Sequence, residues 1–86
     1  MATDPLIVAL QDAARAGFDI SIMYSRGEFV VNVDPCRIIA GTATDRVAPF
    51  DVRRPSLTDA LGNALAVVGV EIGIDRAAKA KRLEET

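Results

Sequence analysis

The chain has 86 residues, half of them hydrophobic and 26% charged, the balance of one small domain that folds around a core rather than of a disordered segment. A formal net charge of −2 argues against bulk electrostatic binding to nucleic acid. With no histidine and a single cysteine, Cys36, the chain can build neither a histidine-based triad, nor a thiolate metal cluster, nor an internal disulfide.

The first element is legible from its ends. Asp4 is a capping residue, Pro5 suits the first helical position, where its missing N–H costs nothing, and Leu6, Ile7, Leu10, Ala13 and Ala14 share a helical face. Gly17 fits the left-handed position past the last turn, with Phe18 as the closing apolar contact. No basic stretch precedes the apolar run and no run of about 18 apolar residues follows, so a cytoplasmic protein without a membrane span is expected.

Next comes a hairpin. Phe18, Ile20, Ile22 and Tyr24 alternate with polar positions, Arg26-Gly27 follows, and Phe29, Val31 and Val33 alternate again. A two-residue turn pairs Tyr24 with Phe29, Ile22 with Val31 and Ile20 with Val33, so apolar meets apolar on one face, while a slip of one residue sets Tyr24 against Glu28. The other face then carries Ser21, Met23, Val30 and Asn32, with Asp19 opposite Asp34; these two carboxylates are expected to be solvated hairpin ends rather than a cation site.

Asp34-Pro35 ends the second strand. Cys36 to Thr44 is β-branched and glycine-containing, and is expected to form a short third strand. Cys36 lies between Pro35 and Arg37 with no histidine to activate it, and reads as a structural thiol. Asp45 to Pro55 reads as a loop, or a loop with an edge strand around Val47 to Val52. Residues 37–55 contain four arginines (Arg37, Arg46, Arg53, Arg54) against Asp45 and Asp51, an excess of +2 in an acidic chain. Arg46, Arg53 and Arg54, with Phe50 among them, are candidates for contacting an anionic or protein partner.

Ser56 caps the last helix, with Asp59 three residues on, and Leu57, Leu61, Ala64, Leu65, Val68 and Ile72 follow on one face. Gly62, Gly69 and Gly73 each weaken it by about 1 kcal/mol against alanine. The alternation of Val68, Val70, Ile72 and Ile74 leaves helix and strand both open over 67–74, with helix favoured to Ile72, a short restart after Asp75 and a frayed tail over 76–86.

The expected architecture is α+β: a three-stranded antiparallel sheet with two helices on one face, in the order α-β-β-β-α. That order resembles double-stranded RNA-binding domains over nearly the whole chain, although Ser56-Leu57-Thr58-Asp59-Ala60 stands where that family places its lysines. Gly27-Glu28-Phe29-Val30-Val31 together with the helix opening at Ser56-Leu57-Thr58-Asp59-Ala60-Leu61 resembles HicB-type antitoxins over about forty residues, which implies a regulatory role. In size, acidity and lack of catalytic groups the chain is similar to small phage accessory proteins, including anti-CRISPR inhibitors.

These readings lead to a non-enzymatic protein-binding module with no cofactor and no metal. A protein partner is expected, among them a phage-type inhibitor's target; direct nucleic-acid binding through the Arg46 to Arg54 loop is the alternative, and a homodimer formed by exposed strands is a third. The candidate partner-binding residues are Met23, Glu28, Val30 and Asp34 on the hairpin, and Arg46, Phe50, Arg53 and Arg54 beyond it. Acids such as Asp12, Asp19, Glu28 and Asp34 could then compete with phosphates for a basic groove.

Overall fold

The computed structural model describes residues 4–85. Helix α1 (Pro5–Ala16) is followed by strands β1 (Phe18–Ser25) and β2 (Glu28–Pro35), a single-turn helix α2 (Ala43–Arg46), strand β3 (Phe50–Arg54) and a long helix α3 (Leu57–Glu85). The sheet is antiparallel with the strands in the order β1-β2-β3, and α1 and α3 pack beside each other on one side of it.

The ends of α1 follow from its residues. The Leu6 amide donates to Asp4 Oδ1 at 2.9 Å, Pro5 occupies the first turn, and Gly17 closes the helix at φ 103°, beyond the comfortable range of a residue with a Cβ. Phe18 is buried immediately after it. The buried stripe is Leu6, Ala9, Leu10, Ala13 and Ala16, so Ile7 and Ala14, expected to face inward, stand on the exposed side.

The hairpin pairs Tyr24 with Phe29, Ile22 with Val31 and Ile20 with Val33, as the matching of apolar faces requires. Arg26 and Gly27 both have positive φ, 54° and 82°, the condition a two-residue turn of type I′ sets.

The third strand is not Cys36–Thr44. That segment runs as bends and turns into α2, and β3 forms at Phe50–Arg54, the segment in which the sequence left open a further edge strand. Local polar contacts are the cause. The Thr42 hydroxyl donates to the Ile39 carbonyl at 2.6 Å, Thr44 Oγ1 accepts from the Ile39 amide at 3.2 Å, and Asp45 Oδ2 accepts from the Gly41 amide at 3.0 Å. Hydroxyls and carboxylates this close to the backbone offer it an alternative to a ladder. Thr44 is buried with Ala43 in the core.

α3 is continuous through 67–74 and 76–85, where a break and a restart were expected. Ala60, Ala64, Leu65, Val68 and Ile72 bury against Val31 and Val33 of the central strand and against Ala13 and Phe18. Within Leu57–Glu84 an 18-residue window reaches a mean hydropathy of 1.4, so the helix is long and apolar enough to cross a membrane by length and composition, although its inner side is packed on the sheet.

Candidate functional site

Helices α1 and α3 cover one side of the sheet, and among the described residues no element covers the other side. The register sets Met23, Val30 and Arg53 in one row on that side, Ser21, Asn32 and Asp51 in the next, and Asp19 opposite Asp34 at the far end. Glu28 pairs with Ser25 at the turn end of the same face. Met23 is 60% exposed, whereas Val30, expected to share in that exposure, is 4% exposed and lies outside the helix-side core. The cross-strand neighbours of Val30 on this face are the longer Met23 and Arg53, so Met23 is the exposed apolar side chain here and Val30 lies low between its neighbours.

Around this apolar centre stand Asp19, Asp34 and Asp51, all exposed, and half-buried Glu28. Arg53 is the one base among them, its Nε 3.8 Å from Asp51 Oδ2 across solvent-facing side chains. The outer face is therefore acidic with a methionine at its middle.

The site continues round the edge of β1. Ile22 and Tyr24 point to the helix side but are 46% and 65% exposed, beyond the cover of α1 and α3. Tyr24 leans on Phe29 with ring centroids 4.9 Å apart at 60°, a tilted aromatic pair that holds it in place. As an edge strand, β1 has one row of backbone N–H and C=O groups without a sheet partner. Sequence reasoning missed Ile22, Tyr24 and Asp51. The first two follow from a meander in which β1 must be an outer strand, and Asp51 needed the correct third strand.

Three of the predicted contact residues do not lie on this face. Arg46 is not on an open loop. Its Nη2 donates to Asp75 Oδ1 at 2.6 Å, its Nε pairs with Glu71, and its Nη1 donates to the Gly41 carbonyl at 2.8 Å, tying α2 and its approach to the middle of α3. Hydrogen bonds to Asp75 and Glu71 raise the pKa of this guanidinium further. Asp75 is held below the ordinary carboxylate value, first by its bond from Arg46 and then by the Ala43 amide, which donates to its Oδ2 at 2.7 Å. Phe50 pairs with Val33 and packs against the core. Arg54 lies opposite Phe29, on the helix side, and donates to the Arg53 carbonyl at 2.6 Å. Of the eight candidates, Met23, Glu28, Val30, Asp34 and Arg53 thus share one face.

Cys36 is exposed and its thiol donates to the Gly17 carbonyl at 3.0 Å. A shallow depression between α1 and α3, lined by Asp12, Arg15, Ile72, Asp75, Arg76 and Lys79, is crossed by an Arg76–Asp12 pair at 3.1 Å and has mixed charge. No cluster of three or more metal-binding side chains occurs among the described residues. No protein-family model, no curated protein and no solved structure matches the chain.

Proposed function

We propose that this chain is a protein-binding module that docks through the open face of its sheet on a partner with a basic surface, and acts by occupying that surface. One observation carries the reading: the uncovered side of the sheet presents an exposed methionine inside a frame of Asp19, Asp34, Asp51 and Glu28. Methionine is unbranched and polarizable and adapts to an apolar recess, while the surrounding carboxylates steer the encounter and reject other acidic surfaces. An acidic face of this kind competes with phosphates, so a basic nucleic-acid-binding groove is the partner chemistry it suits. The edge of β1, with Ile22 and Tyr24, widens the apolar contact.

The test compares affinity capture from the native host with three baits: the unaltered chain, Met23→Glu, and Glu28→Lys combined with Asp34→Lys. All substituted positions lie at the surface or half-buried, so circular dichroism should be unchanged. A specific partner retained by the unaltered chain and lost with both variants supports the proposal; identical capture by all three sinks it. In a gel shift at low salt the chain should leave single- and double-stranded RNA and DNA unmoved, because Arg46 is held by carboxylates and only Arg53 and Arg54 remain on that segment. A shift that falls steeply with salt would replace this reading by direct nucleic-acid binding.

A further inference from the structure

We infer that a second copy of this chain pairs with it through the outer side of α3, antiparallel, about a two-fold axis at Val70. This goes beyond the proposed docking function and uses the opposite side of the molecule. The helix buries Ala60, Ala64, Leu65, Val68 and Ile72 on the sheet, yet Val67, Val70 and Ile74 are 49%, 65% and 51% exposed on its far side. A solvent-facing helix side is normally polar, and this one is apolar over its middle.

The ends of that side identify the occupant. Asp59, Val70 and Lys81 are spaced eleven residues apart, three helical turns each, so they fall nearly on one line about 33 Å long. Asp59 and Lys81 are exposed, and neither has an ion pair among the described residues. Laid antiparallel on itself about Val70, the line sets Asp59 level with Lys81 twice, and brings Val67 beside Ile74 and Ala66 beside Gly73 of the second copy. A Cβ added at Gly73 would meet nothing within 4 Å, so there is room for Ala66 of the second copy to come close. A parallel arrangement sets aspartate on aspartate and lysine on lysine. The self-complementary pattern is that of an isologous two-fold contact, and the charges choose its direction.

Light scattering on the full chain at about 100 µM tests this, since a specific interface of modest size should be populated there. The expected mass is twice 9.1 kDa. Val70→Glu, which meets itself on the axis, should return the 9.1 kDa species with an unchanged dichroism spectrum. Asp59→Lys and Lys81→Asp should each weaken association several-fold, and the two together should restore it. A mass of 9.1 kDa for the unaltered chain overturns the inference, as does a dimer that survives Val70→Glu. It is overturned too by a dimer that instead falls apart with Tyr24→Glu, the sign of pairing along β1, or by cosedimentation of the chain with neutral phosphatidylcholine vesicles, the sign of a membrane-seeking helix.

Discussion

Asp75 shows how much one side chain can organise at the surface of a small domain. It accepts from the Ala43 amide, which opens α2, and from Arg46, which ends it, so a helix of one turn is anchored at both ends to a carboxylate on α3. Its folded pKa lies below the ordinary 3.8, with the Arg46 hydrogen bond the largest cause. A depressed carboxylate contributes stability above the unfolded value and loses it as pH falls through 3.8 and then through the lowered folded value. Asp75→Asn keeps an acceptor for Ala43 and removes the charge facing Arg46. The variant should melt lower than the unaltered chain near neutral pH, and the gap should close as thermal melts are taken down to about pH 2. A gap that stays constant with pH would mean that the charge is not the source of the stability. None of this was legible in the sequence, because Arg46 finds its partners 25 and 29 residues away; read locally, it was one of several arginines in a basic stretch. Asp4, Pro5 and Gly17 were legible because their partners lie within the adjoining turn.

At the level of elements, the hairpin could be read because its register is over-determined: three apolar pairs agree and a slip breaks all of them. The third strand could not. Residues 36–44 have strand-forming side chains, but Thr42, Thr44 and Asp45 hydrogen-bond the nearby backbone and turn the chain instead. α3 was ambiguous over 67–74 for a related reason. Valines and isoleucines alternate there while the glycines lower helix propensity, and burial of Val68 and Ile72 on the sheet decides for helix. The glycines remain a local weakness. Gly69 is exposed within α3, and a Cβ built on it meets nothing within 4 Å. Gly69→Ala should therefore stabilise the chain by about 0.5–1 kcal/mol, from lower unfolded-state entropy and better helix propensity. Urea denaturation would show a raised midpoint at unchanged slope; a lowered midpoint would reveal a close neighbour at Gly69.

For the molecule as a whole, one core sits under one side of a three-stranded sheet, and every exposed surface follows from that one-sidedness. Two apolar helix stripes and one apolar sheet face predict the layering; they do not predict that α1 and α3 leave the outer end of β1 bare, because helix placement across a sheet depends on contacts far apart in sequence. The long axis of 53 Å reflects α3, whose 29 residues run about 44 Å. Its core contacts end at Ile72, and every residue from Arg76 to Glu84 is exposed. Amide exchange should record this as a gradient. Between Ala60 and Ile72, opening requires breaking the core, so exchange proceeds at the cost of global unfolding, whereas Ala78 to Glu84 should exchange at least about 100-fold faster in the monomer. If α3 meets a second copy about Val70, raising the concentration should slow the Ala60 to Ile72 amides together, because pairing adds to the cost of global unfolding, and should extend added protection to Lys81, and Val70→Glu should remove that increment. Protection at Ala78 to Glu84 equal to that of the core in the Val70→Glu chain would mean that the far end of α3 is held by its own subunit, and the two copies would then have no need of each other there.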